Sequence, residues 1–246
     1  MLLSSLESCT STVISGRAGA GKTALAADFA RTCGRSVAWY KVDAADLELR
    51  VFFEYLVASI RQQRPGFNEQ NIMALVGAAK SDHILRLAEI FVYELLEGEG
   101  NPLLIVIEDL HQVCDAEWLV PFLCRFLPLL PRDVHVLITS RTLPPAPLWR
   151  MRSKQTLEVI DEATLAFTPE EAVELFETYG LSSEQARYAF ERTHGRAAAL
   201  ATHAVALNKS RPTHKNRPNN PVARRFGDQG RAQGLDPILL ARDEPY

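Results

Sequence analysis

Apolar and polar positions change period repeatedly along residues 11–160. Short apolar runs are separated by stretches with an apolar residue every third or fourth position. That is the pattern of strands and helices taking turns in a parallel sheet. The first run, Thr12–Ser15, leads into a glycine-rich turn. An Ala-rich helix is predicted from about Lys22 to Thr32, with Leu25 and Phe29 four apart and Gly34 as its stop. Ser36–Asp43 reads as a second strand. Arg50–Arg64 reads as a helix whose inner face carries Phe52, Tyr55, Leu56, Ser59 and Ile60, with Pro65-Gly66 ending it. Asp82–Leu96 is a further helix, with Ile84, Ala88, Phe91, Val92 and Leu95 on one face and Ser81 as N-cap.

Leu103–Ile107 is five branched apolar residues in a row, the signature of a strand covered on both faces. Glu108 and Asp109 follow it directly. A helix over about Ala116–Leu130, a strand over Val134–Thr139, a proline-rich loop (Pro144, Pro145, Pro147) and a fifth strand over Thr156–Ile160 complete the pattern. It then changes. Thr168-Pro169-Glu170-Glu171 is a helix start with Thr at the N-cap, Pro at N1 and Glu at N3. Gly180 ends that helix, Ser182 and Ser183 open another, and Gly195 precedes a third that ends near Leu207. The expected organisation is therefore three stretches. Residues 1–165 form an α/β P-loop domain with a five-stranded, mostly parallel sheet in three layers. Residues 166–207 form a small helical subdomain, and residues 208–246 a basic, disordered tail.

Charge sharpens this division. The 246 residues carry a formal net charge of −3, yet residues 208–246 hold eight Lys and Arg against four Asp and Glu, while the first 207 hold 19 against 26. A surplus of that size, with Phe226 and Tyr246 as the tail's aromatics and no readable recognition helix, argues against direct DNA binding. Apolar residues at 47% and charged ones at 23% are ordinary for a globular chain and exclude collagen-like or polar disordered classes. No apolar run approaches the length of a membrane span, and the first residues lack the basic segment of a secretory signal. Cys9, Cys33, Cys114 and Cys124 are spaced like neither a zinc site nor a disulfide scaffold, so the expected compartment is the cytoplasm.

Gly16-Arg17-Ala18-Gly19-Ala20-Gly21-Lys22-Thr23 matches G-x-x-x-x-G-K-[ST], with a strand before it and a helix after it. Glycines let backbone N–H groups turn inward around a phosphate, and the helix adds its positive N-terminal end. Gly16, Ala18, Gly19, Ala20, Gly21, Lys22 and Thr23 are thus the candidate nucleotide-binding residues. Lys22 is expected to reach the β- and γ-phosphates, and the Thr23 hydroxyl to bind Mg2+. A buried strand ending in acids, well downstream of such a loop, is where a metal-holding carboxylate belongs. Glu108 is assigned to the metal and Asp109 to the attacking water, and the two roles could be exchanged. Arg141, just past the strand ending in Ile138-Thr139-Ser140, lies where an arginine fork can meet a γ-phosphate. His111 reads as a loop histidine. No N-K-x-D guanine loop is present, because Asn208-Lys209-Ser210-Arg211 lacks the aspartate, so the expected nucleotide is ATP or ADP.

The order of these strings resembles a known family. The stretch Gly16–Arg31, Val37-Ala38-Trp39 with Asp43 and Asp46, and Phe52-Phe53-Glu54-Tyr55-Leu56 carry the resemblance. So do Ile107-Glu108-Asp109-Leu110-His111, Leu137–Thr142 with the prolines after it, and Leu165–Ala172. Together they resemble the nucleotide-binding domain of MalT-like regulators, the large ATP-dependent LuxR-type transcription activators of the STAND class. The resemblance implies a switch: ADP holds a closed monomer, inducer and ATP open it, and the open form self-associates. Hydrolysis is slow and resets the switch. It implies that Lys22 and Thr23 hold phosphate and Mg2+, that Glu108 and Asp109 form the Walker B end, and that Arg141 senses the γ-phosphate. The sequence departs from the family at Glu108, where an aspartate is usual, and at His194-Gly195-Arg196, where Glu-Gly-Trp is usual. The chain reads as a truncated relative without its own DNA-binding domain. A stand-alone P-loop ATPase or small-molecule kinase, and an inactive nucleotide-binding remnant, are the alternatives.

Overall fold

The structure is a computed structural model and describes residues 9–77, 83–98, 100–152 and 156–209. It divides into two compact units, Met1–Leu165 and Ala166–Tyr246. In the first, five parallel strands are ordered β2-β3-β4-β1-β5: β1 Ser11–Ser15, β2 Ser36–Lys41, β3 Leu103–Glu108, β4 Val134–Ser140 and β5 Leu157–Ile160. The fold is α/β, of the P-loop NTPase type. β4 lies between the phosphate-loop strand β1 and the acid-ending strand β3, as an ASCE-type sheet requires. The helices are α1 Lys22–Thr32, α2 Leu49–Gln63, α3 Gln70–Gly77, α4 His83–Glu97 and α5 Leu119–Phe126, with short helical turns α6 Ala146–Trp149 and α7 Glu162–Leu165.

Strand alternation sorts the sheet residues into two cores. Leu103, Ile105, Ile107, Val13, Ala38, Tyr40, Val136 and Ile138 face α2, α4 and α5, where Phe52, Phe53, Phe91, Phe122 and Phe126 form a chain of ring contacts. Leu104, Val106, Ile14, Leu137 and Ile160 face α1 through Ala26 and Phe29. Both faces are covered, which is why β3 and β4 are buried along their whole length.

Several boundaries differ from expectation for local reasons. β2 stops at Lys41, because Asp43 instead caps a 3₁₀ turn over Ala44–Leu47 in a reciprocal box with Asp46. Tyr55 is exposed rather than inward. Its ring stacks on Tyr40, and the inner face of α2 is Phe52, Phe53, Leu56, Val57, Ser59 and Ile60. The helix expected over Ala116–Leu130 is shorter. α5 spans Leu119–Phe126 and tightens into a 3₁₀ turn at Leu127–Leu129, where Pro128 has no N–H to continue an α-helix. The proline-rich loop holds α6, with Pro145 as N-cap. α3 was not expected; Ile72 and Val76, four apart, are buried in it, with Met73 and Leu75 packed beside them. Ser81 lies outside the described residues.

Arg64 ends α2 fully buried. Its guanidinium donates to the carbonyls of Leu95 and Asn101 and to Asp133 Oδ2 at 2.8–2.9 Å. It ties three chain segments below the sheet. Arg64→Met is expected to cost about 2–4 kcal/mol in urea unfolding, because two carbonyls lose a charged donor. A loss under about 0.5 kcal/mol, the size of an ordinary surface change, would contradict this role.

His135, on β4, is also buried, with Nε2 3.0 Å from the Thr12 hydroxyl. Burial pushes its pKa down to about 4, and the Arg35 charge adds to this. The folded chain therefore binds this proton less readily than the unfolded one. Stability should fall as pH drops from about 6.5 towards 4, by roughly 3 kcal/mol in all. His135→Gln should flatten that slope in unfolding curves taken across this window. Identical slopes in both proteins would refute the assignment.

The second unit holds α8 Pro169–Thr178, α9 Ser183–Thr193 and α10 Ala197–Lys209. Thr168 and Ser182 close capping boxes with Glu171 and Gln185. Ala172, Phe176, Leu181, Ala186, Ala189, Leu200 and Ala204 form its core. α10 runs through Asn208 and Lys209, two residues beyond the expected start of the tail. Residues 210–246, where disorder was expected, lie outside the described residues.

Candidate functional site

The register brings the predicted site residues to one edge of the sheet. Ser15 pairs with Ser140 and Ile107 with Ile138, so Gly16, Asp109 and Arg141 leave neighbouring strands at the same end. Gly16 N donates to Ser140 O at 3.2 Å, and the loop turns back through Ala20 N to Arg17 O. Gly19 and Gly21 sit at φ 79° and 97°, conformations that an L side chain rarely adopts. Gly21 caps α1 without any side-chain partner, and the first turn of α1 carries no acid. Its first N–H groups are therefore left facing the loop, which is the arrangement an anion fills.

The Lys22 side chain is buried and folds onto the loop, donating to Gly16 O at 2.6 Å and Arg17 O at 3.2 Å. Burial lowers its pKa, and the Arg141 charge lowers it further, against the opposing pull of Asp109, Glu162 and Glu108. The ammonium is thus a desolvated cation whose partners are neutral carbonyls. A phosphate oxygen would satisfy it better.

Thr23, on the first turn of α1, donates its hydroxyl to Glu108 Oε1 at 2.6 Å. The other carboxylate oxygen accepts from Trp39 Nε1 at 3.0 Å. These oxygens fit Mg2+. The ion keeps waters and takes one or two protein side chains beside phosphate oxygens rather than a protein cage. Among the described residues no group of three or more His, Cys, Asp or Glu forms such a cage.

Asp109 adopts a left-handed conformation at φ 58°, and its N–H donates to Thr139 Oγ1 at 3.0 Å. Strain of this kind, at a non-glycine residue, turns the chain sharply off β3 into a 3₁₀ turn over Leu110–Val113. His111, expected as a loop residue, stands in that turn with Nδ1 3.7 Å from Asp109 Oδ1. Burial lowers its pKa, as do the Arg141 and Lys22 charges, while Asp109 opposes them. Arg141 itself is exposed just beyond β4. Ala18 is exposed at the loop's tip and Ala20 is buried.

Two residues of the site were not assigned from sequence. Trp39 carried only the resemblance, although the alternation of β2 puts it on the face of Lys41, the register partner of Glu108. Glu162 showed no signal. Its carboxylate accepts from the Arg17 N–H at 2.9 Å and from the Arg17 guanidinium at 2.8–2.9 Å.

Comparison with known proteins adds the family. Residues 2–139 match the description "AAA ATPase domain". The HTH-type transcriptional regulator MalT of Serratia proteamaculans is 27% identical over 205 residues, covering 81% of this chain and 22% of that protein. MalT of Yersinia enterocolitica is 30% identical over 175 residues, covering 71% of this chain and 19% of that protein. The chain thus spans about a fifth of the length of these curated relatives. Among solved structures, AMPPCP-bound DnaA from Aquifex aeolicus superposes with a TM-score of 0.46 at 14% identity, covering 85% of this chain and 59% of that one. With the phosphate loop, the acid-ending strand and the match over more than half its residues all in place, the chain belongs to the AAA ATPase domain family, and its nucleotide-binding domain is MalT-like.

Proposed function

We propose that this chain is an ATP- and ADP-binding switch module that hydrolyses ATP slowly and serves a transcriptional regulator. The observation that carries the reading is the 2.6 Å contact between Thr23 and Glu108, which joins the phosphate loop to the acid end of β3. In this reading the N–H groups from Gly16 to Thr23 cradle the phosphates, and Lys22 exchanges its loop carbonyls for β- and γ-phosphate oxygens. Thr23 and Glu108 would hold Mg2+, which would supply neutralisation of phosphate charge. Asp109 orients the attacking water and accepts its proton. Arg141, exposed at the same sheet edge, approaches the γ-phosphate.

Support for the regulatory setting comes from the relatives, which are named as transcriptional regulators. Self-association in the ATP state is part of the proposal, and direct DNA contact by residues 1–246 is not. Cys33, Cys114 and Cys124 form no disulfide among the described residues, which suits a reducing cytoplasm. No helix among the described residues is long and apolar enough to cross a membrane.

Size-exclusion with light scattering tests the switch. A larger assembly is expected with Mg2+ and a non-hydrolysable ATP analogue than with Mg2+ and ADP. The same mass in both states would overturn the switch and leave a plain ATPase or an inert binder. Phosphorylation of a small-molecule acceptor well above background hydrolysis would replace it with a kinase.

A further inference from the structure

Glu108 is gripped from two sides. Thr23 reaches Oε1 from the phosphate loop, and Trp39 reaches Oε2 from β2, an edge strand separated from β1 by β3 and β4. The register explains the second contact. Lys41 pairs with Glu108 and Trp39 with Val106, so Trp39 and Glu108 are diagonal neighbours whose side chains rise from the same face. The indole rests against the α1-side core of Val106, Leu104 and Phe29, which fixes the ring. Its N–H is a donor only, with no lone pair to offer a metal. A glutamate has one more rotatable bond than an aspartate, and its carboxylate would otherwise sample several orientations. With Oε2 tied to Trp39, Oε1 is the oxygen presented to the Thr23 hydroxyl.

We propose that Trp39 is a positioning residue for Glu108, holding its carboxylate in the orientation that turns one oxygen to Thr23 and hence setting how tightly Mg2+ joins the bound nucleotide. This rests on the nucleotide-binding reading above. The test is calorimetric binding of ADP across a Mg2+ titration for the whole chain, for Trp39→Phe, for Glu108→Gln and for the double variant. ADP affinity in EDTA should be the same in wild type and Trp39→Phe. The Mg2+ concentration at half effect should rise about tenfold in Trp39→Phe, as when an outer partner of a metal ligand is removed. In the Glu108→Gln background, Trp39→Phe should add nothing.

Wild-type Mg2+ dependence in Trp39→Phe would overturn the proposal, as would an equal shift on top of Glu108→Gln, which would make Trp39 a packing residue. Either result leaves nucleotide binding intact. Failure of the wild type to bind ADP with or without Mg2+ would overturn both readings together. If Trp39→Phe does not fold, Trp118→Phe/Trp149→Phe leaves Trp39 as the sole tryptophan. Its emission should then change when Mg2+ is added to the ADP complex, and no longer do so once Glu108→Gln is introduced. Unchanged emission in the first of these proteins would overturn the proposal.

Discussion

Lys22→Ala should remove nucleotide binding and leave the fold untouched. The ammonium is the charge at the centre of the loop, and each charge-assisted hydrogen bond it makes to phosphate is worth about 1.5–3 kcal/mol. Removing two such bonds together lowers the affinity by roughly a hundredfold or more. The fold has little to lose. Among the described residues Lys22 donates to Gly16 O and Arg17 O alone, and its lowered pKa marks an ammonium that burial disfavours. Removing it relieves that desolvation, so the thermal midpoint should stay level or rise slightly. Equilibrium binding of a fluorescent ATP analogue, paired with thermal unfolding, checks both halves. Undiminished affinity would remove the loop from the site, and collapse of the fold would make Lys22 a structural residue.

Asp109→Asn should lower ATP hydrolysis by about a hundredfold, the scale of a missing general base, while ATP affinity moves less than about threefold. The substitution is sterically clean. Asparagine tolerates the left-handed backbone at φ 58°, and the N–H to Thr139 remains. The separation of the two acids supports the split of roles: Glu108 is bonded to Thr23 on the phosphate loop, whereas Asp109 turns off the strand towards His111. Single-turnover hydrolysis gives the answer. Equal rates in both proteins would mean that Asp109 does not orient the water.

Much of the sheet was legible because its residues serve one purpose each. The five branched residues of β3 and the seven buried ones of β4 leave no solvent-facing side, and α1 runs from Lys22 to Thr32 as its glycines dictate. Capped starts were equally clear at Thr168 and Ser182, where side chain and backbone satisfy each other locally. What escaped depends on distant partners. Tyr55 satisfies the helical period yet stacks outside on Tyr40. Trp39 reads as an ordinary strand residue until the register of β2 against β3 is known, and Glu162 lies 145 positions from its partner Arg17. The phosphate loop and its acids are local strings, whereas the indole and the Arg17–Glu162 pair exist only once the strands are ordered.

The most direct measurement is isothermal titration of the whole chain with ADP and with ATP in the presence of Mg2+. The predicted result is one saturable site per chain for each nucleotide, abolished by Lys22→Ala. Heats indistinguishable from dilution at millimolar ATP and ADP, from a protein with intact circular dichroism, would contradict nucleotide binding and everything built on it.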